Sequence, residues 1–160
     1  MAIGHTHSAC EAKSQPRTAP PAARRAQLVE ATIEAIARHG ISGTTMKKVT
    51  GIAGLSMGIV NFHFKTKEML FLETLRYLGE EHRNHWRQSV EDSTLDPADK
   101  LLAIVNAHFH PEICNRTKLT VWFGFYGEAA YRAAYREIMS EVDDERWRIS
   151  AELIDRIIAE

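Results

Sequence analysis

The 160-residue sequence predicts an all-α fold, a three-helix N-terminal head joined to a longer helical body. Three observations lead there. Apolar residues recur at three- and four-residue spacing, and no segment has the period-two alternation of a half-buried strand. Glycine and proline punctuation cuts the chain into pieces of helical length. Four of those pieces open on a Thr, Ser or Asp, whose side-chain oxygen can accept from the free N–H groups of a first turn.

The first helix is expected over about residues 22–39. At 100° per residue Leu28, Val29, Thr32, Ile33, Ile36 and Ala37 fall on one arc. Glu30, Glu34 and Arg38 lie opposite at i, i+4, i+8, the spacing of exposed ion pairs. Gly40 stands where a C-terminal cap belongs. Thr44 or Thr45 caps a second helix to about Ala53. Gly54-Leu55-Ser56 is then a tight turn, and Ser56 caps a third helix to about Phe62. Thr66 caps a fourth, continuing to about Val90 with Phe71, Leu75, Leu78, His82 and Trp86 on one stripe. Asp96-Pro97 sets an N-cap before an N1 proline and opens a fifth helix to about Phe109, ended by Pro111. Residues 118–130 are apolar nearly all round, which predicts a helix buried on most sides. The last helix begins near Tyr131, carries Ile138, Val142, Ile149, Leu153, Ile154, Ile157 and Ile158, and is still helical in pattern at Glu160. The chain therefore reads as C-terminally incomplete, with a final helix missing.

A net charge of −1 conceals a partition. Residues 1–67 hold nine basic and three acidic side chains, a net +6, whereas residues 68–160 hold eleven basic and eighteen acidic ones, a net −7. Such asymmetry points to a basic module for a polyanion and an acidic module for something else. A hydrophobic content of 44% with three Trp suffices for a core and excludes disorder of the whole chain. No apolar run approaches a membrane span, and the N-terminus lacks the apolar core of a signal peptide, so a cytoplasmic protein is expected. Cys10 and Cys114 are too few for a disulfide framework. Residues 1–22, with Pro16, Pro20 and Pro21, read as a disordered tail. His5 and His7 form an H-x-H pair there, without further ligands.

Two short helices joined by a glycine turn, inside the +6 region, make a helix-turn-helix candidate, whose second helix enters a major groove by its N-terminal end. The stretch TTMKKVTGIAGLSMGIVNFHFKTKEML, residues 44–70, resembles the DNA-binding signature of the TetR family of bacterial transcriptional repressors. The resemblance rests on Thr45, Val49, the Ala53-Gly54-Leu55-Ser56 turn, Gly58, His63-Phe64 and Lys67-Glu68-x-Leu70. Arg24-Arg25-x-x-Leu28-x-x-Ala31 and Gly40 match the family's first helix. The chain departs from the pattern at Asn61, usually tyrosine, and at Thr50-Gly51, usually an alanine and a charged residue. Gly58-Ile59-Val60-Asn61, with Trp122 inside Lys118-x-x-x-Trp122-x-x-Phe125, is similar to the BetI-like subgroup of choline-responsive betaine-pathway repressors.

The resemblance implies a helix-turn-helix DNA-binding domain over 23–68 and a helical effector-binding and dimerisation domain over 69–160. It implies a dimer on a palindromic operator, released by a small-molecule effector. The sequence holds no glycine-rich phosphate loop, no G-x-S-x-G and no plausible nucleophile–base pair, so no enzymatic activity and no cofactor are expected. Carried over by position, Ser56 caps the recognition helix and reaches a phosphate. Met57, Gly58, Ile59, Asn61 and Phe62 face bases and sugars; Asn61 is of the type that pairs with adenine N6/N7. Thr45 and Lys47 contact the DNA from the second helix, and His63 and Lys67 contact phosphates. Arg24 and Arg25 are candidate additions from the arm.

For the body, Phe109, Trp122, Phe123, Phe125 and Tyr126 form the candidate ligand-binding set. Aromatic walls beside an acid such as Glu128 suit a choline-like cation. Trp122 and Tyr126, at i and i+4, lead that set. His82 with His85, and His108-x-His110 with Cys114, are the histidine groupings to weigh as metal ligands. Pro111 breaks the helix inside the second grouping and no fourth ligand is evident, so no metal is assigned. His82 lies on the apolar stripe and reads as a core histidine. The alternatives to a ligand-released repressor are a metal- or redox-responsive regulator using His108, His110 and Cys114, and a helical interaction protein without specific DNA binding.

Overall fold

The computed structural model describes residues 19–92 and 94–160, with nothing described of the Ser89 side chain. His5, His7, Cys10 and nearly all of the expected tail lie outside those residues. Among the described residues there are seven α-helices and no strand: α1 Pro21–Gly43, α2 Met46–Ala53, α3 Met57–His63, α4 Lys67–Glu91, α5 Pro97–Ala107, α6 Arg116–Ala129 and α7 Ala133–Ala159.

The caps explain the boundaries. Gly40 takes φ 70°, ψ 169°, so regular α1 stops at His39 and a short turn follows. That φ is open to glycine and strained for other residues. Thr44 locks the corner: its N–H and its hydroxyl both donate to the Gly40 carbonyl, at 3.1 and 2.7 Å. Thr45, not Thr44, caps α2 by accepting from Lys48 N–H. Gly54 closes α2 in the left-handed region, φ 64°, while Gly54 and Leu55 N–H both donate to the Thr50 carbonyl. Ser56 and Thr66 cap α3 and α4, and Asp96 caps α5 ahead of Pro97. Helix α5 ends two residues before the expected Phe109. The chain then tightens into i+3 bonds, from His108, Phe109 and His110 N–H to the carbonyls of Val105, Asn106 and Ala107. Asn115 caps α6 by accepting from Lys118 N–H at 3.0 Å, so the helix starts at Arg116, two residues before the expected position.

One continuous core runs from the head into the body. It takes in Leu28 and Ile36 of α1, Val49, Val60 and Phe64 around the turn, Phe71 and Leu75 of α4, Phe125 of α6, and Tyr135 and Met139 of α7. Helix α1 packs against α2, α3, α4 and α6. The α1–α6 approach is close because Gly124 has no side chain: a Cβ there would lie 3.1 Å from Ile41 Cγ1. Phe71, Phe125 and Tyr135 meet edge to face, with centroids 6.2 and 5.2 Å apart, tying α4, α6 and α7. A smaller core of Trp86, Ile104, Ala107 and Leu153 joins the far ends of α4, α5 and α7.

Helix α6 departs from expectation. Only Val121, Phe125 and Ala129 are buried on it, while Phe123 is 71% exposed and Tyr126 51%. Its inner face meets α1, α4 and α7. No described helix is long and apolar enough to cross a membrane.

Two glycines give opposite expectations. Gly51 sits exposed inside α2 with nothing within 4 Å of a Cβ, whereas a Cβ on Gly79 would lie 2.6 Å from Val142 Cγ2. Gly51→Ala should stabilise by roughly 0.5–1 kcal/mol through helix propensity. Gly79→Ala should destabilise, since overpacking against a stiff β-branched residue costs about 1–3 kcal/mol and outweighs the same propensity gain. Urea unfolding midpoints should move up for the first variant and down for the second.

Candidate nucleic-acid interface and helical cavity

The α2–α3 unit is held from beneath and open above. Val49, Ala53, Val60 and Phe64 are buried and fix both helices on α1. Gln27 of α1 donates to the Ala53 carbonyl at 2.8 Å, satisfying the end of α2. Thr45, Lys47, Ser56, Met57, Gly58, Asn61 and Phe62 are exposed; Ile59 and His63 are half-buried. Phe62 is 74% exposed, a large apolar loss in water that a base or sugar surface would recover. Its ring meets His63 edge-on at 5.1 Å. Ser56 Oγ accepts from Ile59 N–H at 3.4 Å, which aims the start of α3 outward. Arg24, Ser56, Gly58, Ile59, Phe62 and His63 line one shallow groove between the start of α1 and α3.

Two basic residues assigned to this surface are spent elsewhere. Lys67 Nζ donates to the Ile41 carbonyl at 3.1 Å and lies 4.8 Å from the Phe71 ring centroid. Its surroundings come from α1, α4, α6 and α7 with none from α3. Burial first, then the Arg132 charge, hold its pKa below the usual lysine value. The cause is its place at the root of α4, where the helix crosses the end of α1. Arg25 pairs with Glu73 at 2.8 Å and stacks over Phe64, so it braces α1 against α4.

The body contains a cavity of about 220 Å³ between α4, the α5–α6 turn, α6 and α7. Trp122, Phe123 and Tyr126 form its aromatic wall, with the Trp122 and Tyr126 rings 6.1 Å apart and tilted by 36°. Phe125 is not in that wall: three residues on from Trp122 it turns inward and is fully buried against Phe71 and Tyr135. Phe109 is not in it either. It lies past the end of α5, 71% exposed, in a separate groove with Trp147. Glu128 pairs with Arg132 away from the cavity, and the acid in the wall is Asp143.

The polar side of the cavity is a chain of bonds. Arg146 donates through Nη2 to Asp143 at 2.8 Å and through Nη1 to His108 Nε2 at 2.7 Å. His108 Nδ1 faces the Ile104 carbonyl at 2.8 Å, so Nδ1 donates and Nε2 accepts. Arg146 Nε is buried without an acceptor among the described residues. Burial, then Asp143, raise the Tyr126 pKa, keeping its hydroxyl a donor. His82 is half-buried in the wall, not in the core, with its ring edge-on to His108 at 4.5 Å. Burial first, then the neighbouring His108, Arg146 and His85, lower its pKa to about 4. The cavity thus pairs aromatic faces with one arginine–carboxylate couple and the imidazoles of His82 and His108. His108, His110 and Cys114 do not converge: His108 and Cys114 border the cavity, while His110 turns to His85 outside it.

Geometry and sequence pattern together define a helix-turn-helix head fused through a shared core to an all-α body with a small cavity. Residues 28–74 match the family described as bacterial regulatory proteins, tetR family, and residues 97–160 match the family described as BetI-type transcriptional repressor, C-terminal. The chain thus carries an N-terminal domain of the TetR family and a BetI-type C-terminal domain. Those families are regulators and not enzymes. Among its relatives are the HTH-type transcriptional regulators BetI of Paraburkholderia xenovorans, 31% identical over 115 residues, and of Stenotrophomonas maltophilia, 32% identical over 109. The alignments take in 72% and 68% of this chain but 59% and 56% of those proteins, so the chain spans less than two thirds of the curated relatives it matches. Similar folds include a TetR transcription regulator from Haloarcula marismortui, with a TM-score of 0.76, 20% identity and coverage of 86% of this chain and 72% of that one. A Saccharomonospora viridis protein crystallised in complex with choline is similar at a TM-score of 0.73 and 19% identity, covering 84% and 69%.

The depressed His82 pKa has a consequence for stability. The ring is neutral in the fold down to about pH 4, while the unfolded chain takes up that proton near 6.5. The contribution is level above 6.5, is lost as pH falls from 6.5 toward 4, and is level again below. In urea unfolding between pH 4 and 7.5, His82→Gln should lose less stability on acidification than the unaltered chain. Parallel curves would contradict the buried neutral ring.

Proposed function

We propose that this chain is the DNA-reading and effector-sensing part of a transcriptional repressor that acts as a dimer on a palindromic operator and is released by a small molecule. The observation that carries the reading is the exposed row Met57, Gly58, Asn61 and Phe62 on a capped helix whose other side is anchored by Val60 and Phe64. A glycine at 58 lets the backbone approach the groove, Asn61 reads a base edge, and Met57, Ile59 and Phe62 offer apolar contacts to thymine methyls. Lys47, Thr45, Ser56 and His63 hold the phosphates on either side. Two copies place their α3 helices in successive major grooves about one turn apart. Such a regulator works in the cytoplasm, with the DNA.

The effector is a small organic cation of the choline type, held in the α4–α6–α7 cavity. Its size supports this, since about 220 Å³ falls below the roughly 300–1,000 Å³ of drug-sized sites. The faces of Trp122, Phe123 and Tyr126 suit a quaternary ammonium, and Asp143 supplies the negative charge. A hydroxyl or carbonyl oxygen on the effector would serve as acceptor for Arg146 Nε. The choline complex of the similar Saccharomonospora viridis protein agrees with this ligand class. Release follows if the effector prefers a conformation in which α4 carries the two heads out of register.

Two measurements test these roles. Against a randomised duplex pool, Asn61→Ala should change the preference at one base position, at a cost of about 1–3 kcal/mol on the preferred site. Lys47→Ala should weaken binding to every sequence alike and lower the salt slope by about one. The same effect of both variants on unrelated DNA would count against the division. Calorimetric titration of choline and betaine aldehyde should show binding that Trp122→Ala weakens at least about tenfold, given what a desolvated cation–π contact contributes. No heat from either compound removes this ligand class.

A further inference from the structure

His85 on α4 meets His110 and Glu112 of the α5–α6 turn on the outer surface, away from both the cavity lining and the α3 face. One candidate ligand atom from each of the three lies within 4.8 Å of the other two. His85 Nε2 is 3.3 Å from Glu112 Oε2, and the two imidazoles lie 4.4 Å apart at a tilt of 34°. His110 and Glu112 are exposed and His85 is half-buried, so no hydrophobic burial accounts for the meeting.

We propose that His85, His110 and Glu112 form a binding site for a divalent transition metal of the zinc class. Two imidazoles and one carboxylate, with room left for water, match the three-ligand sets of zinc sites and are too nitrogen-rich for magnesium or calcium. The spacing fits: two ligands about 2.1 Å from a tetrahedral ion stand about 3.4 Å apart, close to the His85–Glu112 separation. The turn is already anchored, because Lys118 Nζ bridges the Glu112 carbonyl at 2.5 Å and Glu81 of α4 at 2.6 Å. Glu112 N–H donates to His110 Nδ1 at 3.3 Å, a bond long enough for the ring to exchange for an ion. A metal there clips the turn to α4. The next two residues, Ile113 and Cys114, border the cavity, so the clip would also fix one of its walls.

The test uses the full chain carrying His5→Ala, His7→Ala and Cys10→Ser, so that the tail offers no competing ligands. Zinc chloride alone is titrated calorimetrically, and thermal unfolding is followed with and without it. The expected result is one equivalent bound, a higher melting temperature with zinc, and at least tenfold weaker binding in His85→Ala and in His110→Ala, with Glu112→Gln weaker to a lesser degree. His110 lies exposed in a turn, so its replacement leaves the fold intact, and far-UV circular dichroism verifies this. Zinc affinity unchanged in both histidine variants overturns the proposal, as does absence of zinc binding or an equal response to magnesium.

Discussion

Everything above α3 depends on how closely α6 approaches the end of α1. Gly124 leaves only backbone where that helix passes Ile41, and the contact lets one core run from the recognition unit to α7. Because interiors are packed at near-crystalline density, such a seam transmits displacement and does not absorb it. The Lys67 ammonium sits on the same seam, bonded to the Ile41 carbonyl at the root of α4. The head is therefore not a bead on a string. The seam joins the α6 wall of the cavity to the corner at Gly40 and the first turn of α4 through packed residues.

The charged residues divide by task. Arg83 and Arg87 both reach Glu145 at 2.6 Å and fasten α4 to α7. Arg25 and Glu73 do the same for α1 and α4. Partly exposed pairs of this kind add little net stability, so their value is in fixing register between helices. The positive charge left for a polyanion is then smaller than the +6 of the first 67 residues suggests. Lys47 is exposed, while Lys48 Nζ is bonded to the Gly43 carbonyl, Lys67 Nζ to the Ile41 carbonyl, and Arg25 is paired with Glu73.

The α5–α6 turn stands between two chemistries. On one side it presents His108 and Cys114 to the cavity; on the other it presents His110 and Glu112 to His85. In chain order the four residues face cavity, surface, surface and cavity, around a turn held by Lys118.

The sequence alone determined the helices, because their signals are local. Thr45, Ser56, Thr66 and Asp96 each cap where a side-chain oxygen meets an N–H three residues on, and Gly40 and Gly54 take backbone angles that favour glycine. It also marked out the exposed row of α3, since a short capped helix leaves few residues to choose from. The tertiary structure decided which side chains reach it. Whether Lys67 points at a phosphate or at Ile41 depends on the crossing of α4 and α1, residues 26 apart in the chain. Likewise Phe125 left the ligand wall for the core, Phe109 fell outside it, and His110 separated from His108. Aromatic content and i, i+4 spacing cannot tell the wall of a cavity from the inside of a bundle. That distinction is made by which neighbour helix lies opposite, and it exists only once the chain has folded.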